Sequence, residues 1–167
     1  LLFPNEFSLP RILKAAINKE TFEVRIDTAF SEVMNSCSRV PRKDQSGSWL
    51  APEMIYAYVQ LHEEGYAHSF ESFRDGKLVG GLYGISLGRA FFGESMFALK
   101  TDASKVAFVT LVEQLTTWGF DLIDSQVHTQ HLERFGAREI PRKDYLQRLS
   151  SCMDEPGRRG PWTIGAP

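Results

Sequence analysis

The sequence predicts a single α/β domain in which a mixed β-sheet is flanked by helices. Two observations predict this class. Three consecutive segments in the middle of the chain alternate apolar and polar residues, and a long helical pattern then leads into another apolar strand. A length of 167 residues fits one domain with a sizeable core. The hydrophobic content of 43% and the charged content of 24% are ordinary for a globular protein.

The first part of the chain predicts a helix followed by a strand. Ser8 and Pro10 are typical of a helix start, and they predict a helix that ends near Asn18. Residues 22–26 alternate between apolar and polar side chains, which is the period of a β-strand.

Two further helices are predicted before the middle of the chain. Asp27 is a typical N-cap residue and is expected to cap a helix over residues 28–38. Residues 41–48 are polar and predict a loop. Residues 52–64 have an amphipathic helical pattern that stops at Gly65, a residue that often follows a helix.

The middle of the chain predicts an antiparallel meander. Asp75 and Gly76 form a strong hairpin turn signal, and Gly88 with Arg89 marks a second turn. The three predicted strands cover residues 67–73, 77–87 and 90–97.

The second half of the chain predicts a helical crossover between two strands. A helix over residues 104–118 stops at Gly119 and leads into a strand over residues 120–126. Such a connection usually places its two strands parallel and adjacent. The predicted order of helices and strands therefore matches the acyl-CoA N-acyltransferase (GNAT) fold. This fold by itself does not determine the reaction. The remaining predictions are short helices over 130–135 and 141–149, a GNAT-like domain over 1–150 and a C-terminal tail over 151–167.

Composition narrows the classes of function. No apolar run approaches the roughly 20 residues needed to cross a bilayer, and the first four residues lack a basic leader, so we expect a cytoplasmic protein with no membrane partner. Cys37 and Cys152 match no metal or redox spacing and are expected to be reduced thiols. His128 and His131 are spaced like metal ligands, but no third ligand accompanies them, so no metal is expected.

The charge of the chain does not indicate nucleic-acid binding. The net charge is −2, whereas an RNA-binding protein usually has a basic surface. Basic residues do cluster early in the chain, at Arg11, Lys14, Lys19, Arg39, Arg42 and Lys43. On charge alone, a solvated helix face and a polar loop are the better explanation.

The segment before the long helix argues against acetyl-CoA as the acyl donor. Acetyl-CoA enzymes of the GNAT fold have a glycine-rich loop there, whose backbone N–H groups hold the pyrophosphate of CoA. Residues 97–105 contain no glycine, and Asp102 places negative charge near the predicted helix start. Lys100 and Lys105 offset that charge only in part. We therefore expect the acyl group to arrive on another carrier.

Four stretches of the sequence carry a resemblance to a known family. They are Gly47 to Trp49 with Pro52 to Met54, Gly65 to Ser69, Leu78 to Gly84 with Phe92 to Phe97, and Asp124 to Gln126. The combination of Gly-Gly-Leu-Tyr-Gly with Gly-Glu-Ser-Met-Phe is specific. The chain resembles the bacterial leucyl/phenylalanyl-tRNA–protein transferases from Phe3 to about Leu149.

The resemblance implies a reaction and its partners. The donor is leucine, phenylalanine or methionine esterified to tRNA, the acceptor is a protein whose first residue is Arg or Lys, and no cofactor is implied. An RNA donor makes Arg11, Lys14 and Lys19 candidates for tRNA binding. Family members carry a further N-terminal domain before the Leu-Phe-Pro at which this chain starts, so part of the site for the tRNA 3′ end is expected to be missing.

Asp124 and Gln126 are the first catalytic candidates. If both lie on one strand, their i and i+2 spacing points both side chains to the same face, at the carboxyl end where such sheets usually bind ligands. The resemblance implies that Asp124 orients Gln126 or stabilises the forming ammonium, and that Gln126 contacts the attacking amine. The alternative is a strand-end aspartate that caps the following turn.

Glu94 is the third catalytic candidate, because a carboxylate in an apolar strand is costly to bury without a partner. The partner is either a cationic group of the substrate or an internal cation, Arg89 or Lys105. The resemblance favours the substrate.

The resemblance also implies a site for the donor. An apolar pocket for the donor side chain is expected from Leu82, Phe91, Met96, Leu111, Leu115 and Ile123. The family often has an aromatic residue where this chain has Leu111. Trp49 is expected to stack on the terminal adenosine of tRNA. Without the resemblance, the apolar residues would be assigned to the core and Trp49 to packing on the helix over 52–64.

Three other functions remain open on the sequence. An acetyl-CoA N-acetyltransferase would bind CoA. A Fem-type peptidoglycan aminoacyltransferase would normally have two such domains and lacks the Gly-Glu-Ser-Met-Phe signature. A non-catalytic module would bind N-terminal Arg or Lys and transfer nothing.

Overall fold

A computed structural model of the protein describes residues 1–9, 13–14, 17, 21–40, 50–127 and 129–165. These residues contain a five-stranded sheet in the order β1-β2-β3-β4-β5. Strands β1 to β4 are antiparallel neighbours, and β5 runs parallel to β4. The strands are β1 (Glu23–Ile26), β2 (Ala67–Arg74), β3 (Lys77–Leu87), β4 (Ala90–Ala98) and β5 (Leu122–Asp124).

Helices cover both faces of the sheet. The helices are α1 (Phe30–Ser38), α2 (Pro52–Glu63), α3 (Ala103–Thr117), α4 (Gln130–Glu133) and α5 (Arg142–Met153), and a 3-10 turn covers Pro4–Glu6. Successive residues of β3 point to opposite faces, so Leu82 packs in the core cluster of α3 and Tyr83 in the core cluster of α1 and α2. No helix in the described part of the chain is long and apolar enough to cross a membrane.

The predicted meander and crossover are confirmed. Asp75 and Gly76 form the β2–β3 turn with φ values of +52° and +70°, and the crossover through α3 makes β4 and β5 parallel neighbours. The strand β3 approaches α3 very closely at Gly80, where a Cβ atom would lie 2.5 Å from the Cβ of Ala103. This contact holds the start of α3 against the middle of the sheet.

The prediction that Asp27 caps α1 is wrong. The helix begins at Phe30, and the Asp27 carboxylate instead accepts hydrogen bonds from the backbone N–H groups of Ser69 (2.9 Å) and Trp162 (2.8 Å) and pairs with His68 Nδ1 at 2.8 Å. The Asp27 carboxylate therefore bonds to residues that are distant in the chain and does not cap the helix.

Glu71 of β2 accepts hydrogen bonds at the start of α1. Its carboxylate accepts hydrogen bonds from the Thr28 hydroxyl (3.0 Å), the Ala29 N–H (3.4 Å) and the Ser69 hydroxyl (2.5 Å). Glu71 is fully buried, and this burial raises the pKa of its carboxyl group above the usual range.

The described residues after α5, 154–165, contain no regular secondary structure, but they contribute to the core. Trp162 is 2% exposed and stacks on His68 with ring centroids 3.6 Å apart. Its ring also contacts those of Phe70, Phe91, Trp118 and Phe120. The preceding helix α5 extends to Met153, four residues beyond its predicted end.

Candidate active site

A cavity of about 480 Å³ opens at the carboxyl end of β5. The strand pairs with β4 from Leu122 to Asp124 and ends there, with Asp124 opposite Phe92. Ligands of α/β sheets commonly bind beyond the carboxyl ends of strands. The side chains that line the cavity include Asp124, Gln126, Arg138, Glu139, Arg142 and Tyr145.

Both carboxylate oxygens of Asp124 accept hydrogen bonds. Oδ1 accepts from the Gln126 backbone N–H at 2.8 Å, and Oδ2 accepts from the Tyr145 hydroxyl of α5 at 2.8 Å. Partial burial and the adjacent carboxylate raise the pKa of Tyr145 to about 12, so its hydroxyl stays protonated near neutral pH.

Gln126 is not on the strand, so the predicted same-face geometry is wrong. The strand ends two residues earlier, because Asp124 Oδ1 captures the Gln126 N–H and closes a turn in which Gln126 has a φ of +56°. The turn-capping alternative therefore describes the backbone here. The exposed Gln126 side chain nevertheless lines the same cavity as Asp124, so the two candidates do meet at one site.

Glu94 occupies a β-bulge in β4. In the register with β3, Gly93 and Ser95 have opposite partners while Glu94 has none, which makes it the extra residue on its strand. A bulge re-aims the side chain of the inserted residue and is common beside active sites.

The partner of Glu94 is a tyrosine and not a cation. The Tyr58 hydroxyl of α2 donates to Glu94 Oε2 at 2.9 Å, and burial followed by the carboxylate charge raises the pKa of Tyr58 above its usual value. The predicted internal ion pairs are absent among the described residues. Arg89 pairs with Glu155 at 3.1 Å, and Lys105 pairs with Asp102 at 2.5 Å.

The start of α3 carries a carboxylate where an acetyl-CoA enzyme would bind phosphate. Asp102 directly precedes the helix with a φ of +67°, and its charge is already offset by Lys105. The absence of CoA as the acyl carrier stays a prediction.

Comparisons with known proteins agree with the sequence resemblance. The family model described as leucyl/phenylalanyl-tRNA protein transferase matches residues 1–150. A protein of Myxococcus xanthus named leucyl/phenylalanyl-tRNA–protein transferase is 55% identical over 166 residues, which are 99% of this chain and 71% of that protein. One of Nitrosospira multiformis with the same name is 50% identical over 162 residues, 97% of this chain and 69% of that protein. The chain belongs to this family.

The family consists of transferase enzymes, and the structural neighbours show the fold on which this member is built. An aminoglycoside acetyltransferase from an uncultured soil metagenomic sample has a TM-score of 0.53 at 14% identity, covering 72% of this chain and 94% of that chain. A second such acetyltransferase, solved with sisomicin, has a TM-score of 0.50 at 12% identity, covering 81% and 88%. The predicted GNAT-like fold is therefore confirmed.

The residues predicted to form the donor pocket lie in the core of this family member. Leu82, Phe91, Leu111, Leu115 and Ile123 are all at most 3% exposed, and Met96 is half-buried against them. None of the six lines the cavity beside Asp124. The ring of Trp162 packs against Phe91, so the tryptophan ring fills space on this side of the sheet. A role in donor binding stays a prediction.

The other candidates are only partly within the described residues. Lys14 is helical and exposed, which agrees with a surface role, while Arg11, Lys19, Trp49 and His128 lie outside the described residues. Cys37 and Cys152 are buried and are not joined by a disulfide.

Sequence reasoning missed the two tyrosines that contact the candidate carboxylates. Tyr58 lies on the helix predicted over residues 52–64, whose amphipathic pattern indicates packing and does not indicate a contact with Glu94. Tyr145 lies 21 residues after Asp124 on a helix of mostly polar residues. A tyrosine on such a helix was the one available signal.

Proposed function

We propose that this chain transfers leucine, phenylalanine or methionine from aminoacyl-tRNA to an N-terminal Arg or Lys of acceptor proteins, which marks them for degradation. Family membership supports an aminoacyl-tRNA donor, because the relatives are named for leucyl- and phenylalanyl-tRNA. The observation that carries the proposal is the doubly hydrogen-bonded carboxylate of Asp124 in an open cavity at the end of β5.

The reaction is aminolysis of an ester. The acceptor nitrogen attacks the ester carbonyl carbon, a C–N bond forms, and the C–O bond to the ribose breaks as that oxygen takes a proton. An α-amino group titrates near ~7.7–8.0, so a moderate base or water suffices to free its lone pair. The ester is already activated, so no covalent enzyme intermediate is required.

Each candidate residue has a role in this scheme. Asp124 stabilises the ammonium that forms on the acceptor nitrogen, and the exposed Gln126 side chain contacts the attacking amine. Glu94 receives either the donor's α-ammonium or the cationic side chain of the acceptor. Met96 is half-buried while its five companions are interior, so we place the outer end of the donor pocket at Met96.

Donor choice and location complete the proposal. An apolar pocket discriminates single methylenes by only ~1–3 kcal/mol, which fits a mixed preference for leucine, phenylalanine and methionine. We place the protein in the cytoplasm, because charged tRNA is present there and the two cysteines are not joined by a disulfide.

The test is the transfer of labelled leucine from Leu-tRNA to peptides that differ only in a first residue of Arg, Lys or Ala. We expect label on the first two peptides and none on the third. Asp124→Asn keeps an acceptor oxygen for the turn and should cut transfer at preserved fold, and Gln126→Ala should cut it less. Binding of the peptide without transfer, or binding of CoA measured by calorimetry, would contradict the proposal.

A further inference from the structure

The carboxylate of Asp124 is held more firmly than its turn requires. The turn needs only the bond from the Gln126 N–H to Oδ1. The second bond, from the Tyr145 hydroxyl to Oδ2, comes from α5 and does nothing for the backbone of the turn. A carboxylate held by one oxygen retains a broad torsional range about its last bond. The second bond removes that freedom.

The position of the Tyr145 hydroxyl is itself fixed. Tyr145 lies in the first turn of α5, where its N–H donates to the Pro141 carbonyl at 3.0 Å. Its half-buried ring packs against the apolar cluster that contains Leu122 of β5 and Leu149 of α5. The ring is thus tied both to the strand that carries Asp124 and to its own helix, while the hydroxyl reaches the cavity.

We propose that Tyr145 is a positioning residue for the transfer reaction, and that its hydroxyl fixes the Asp124 carboxylate so that the remaining lone pairs face the acceptor amine. This inference rests on the proposed function of the same site. Tyr145 does not itself touch the reacting atoms. It acts through Asp124.

Two further properties of the site agree with this role. The pKa of Tyr145 is raised to about 12, so the hydroxyl remains a donor throughout the range in which an α-amino group loses its proton. A neutral hydroxyl donor leaves the charge of the Asp124 carboxylate available to the forming ammonium. The other charged groups lining the cavity are Arg138, Glu139 and Arg142, and a change at Tyr145 leaves them in place.

Tyr145→Phe tests the inference, because it removes the hydroxyl and keeps the ring. We expect kcat for leucyl transfer to fall roughly tenfold, with the KM values for Leu-tRNA and for the Arg-peptide each changing less than about twofold. Tyr66→Phe is the matched control, since the Tyr66 ring lies under the Arg159 guanidinium outside the cavity. It should leave kcat unchanged.

A double-variant cycle separates positioning from a structural contribution. If Tyr145 acts through Asp124, Tyr145→Phe should cause no further loss in the Asp124→Asn background, whereas a structural loss would be equal in both backgrounds. If that background transfers too slowly to compare, the split in Tyr145→Phe between a lowered kcat and unchanged KM values decides alone. A wild-type kcat in Tyr145→Phe, beside an impaired Asp124→Asn, would overturn the inference and leave the proposed function intact. Absence of transfer by the wild-type protein would overturn both.

Discussion

Each carboxylate proposed to meet substrate accepts a hydrogen bond from a tyrosine on a helix outside the sheet. Asp124 is paired with Tyr145, and Glu94 with Tyr58. A neutral phenol orients a carboxylate and leaves its negative charge in place, whereas an arginine or lysine partner would offset that charge. Both carboxylates therefore keep their negative charge for a cationic substrate group. This property fits a reaction whose attacking group passes through an ammonium.

Tyr58→Phe should separate the orientation of Glu94 from its charge. Loss of the hydroxyl frees the carboxylate to rotate in its bulge, so we expect the KM for either the Arg-peptide or Leu-tRNA to rise roughly tenfold. The free energy of unfolding should fall by about 1 kcal/mol. Tyr56→Phe is the control, because Tyr56 lies on the same helix and is 67% exposed. Unchanged KM values for both substrates would contradict a substrate role for Glu94.

Glu71 should give the protein a pH-dependent stability. Its folded-state pKa is raised by burial, so the folded state binds its proton more tightly than the unfolded state, whose reference pKa is 4.5. Its contribution is therefore fully present below pH 4.5 and is lost as the pH rises through the folded-state pKa. In urea unfolding at a series of pH values, Glu71→Gln should gain relative to wild type as the pH rises above 4.5. A constant difference at all pH values would contradict this.

At the scale of elements, local pattern predicted where strands and helices occur but not what their end residues do. The hairpin at Asp75 and Gly76 was predictable because turn geometry depends on adjacent residues. The roles of Asp27 and Asp124 were not, because their partners lie up to 135 and 21 residues away. The strand β5 is also shorter than its apolar pattern indicated, because the local turn closed by Asp124 ends it, so Gln126 lies beyond the strand.

The bulge between β3 and β4 offers a matched pair of glycine variants. A Cβ atom at Gly84 would lie 2.3 Å from the Phe92 carbonyl oxygen and 2.6 Å from the Phe91 ring. At Gly93, directly opposite, the nearest contact would be the Asp124 carbonyl oxygen at 3.7 Å. We expect Gly84→Ala to lower the free energy of unfolding by about 2–3 kcal/mol and Gly93→Ala by less than about 1 kcal/mol. Equal effects in urea unfolding would show that the strands adjust at both positions.

At the scale of the whole molecule, the tail connects regions that the sequence pattern treats separately. The family model ends at residue 150, and the proline- and glycine-rich residues beyond it predicted only a loop. Nevertheless, the Trp162 N–H bonds to Asp27, and the Gly165 N–H donates to the Gln114 side chain at 3.2 Å. Local sequence could not show this, because a loop residue enters a core only where distant elements leave space for it.

Trp162→Ala should therefore lower the free energy of unfolding more than the substitution of an exposed residue in the tail. The ring contacts five other aromatic rings in the core and is 2% exposed, so its removal should leave a cavity and cost about 3–5 kcal/mol of unfolding free energy. Ile164→Ala is the matched control, because Ile164 is 53% exposed and should cost less than about 0.5 kcal/mol. Circular dichroism during urea unfolding measures both. Equal midpoints for wild type and Trp162→Ala would show that the tail does not contribute to the stability of the core.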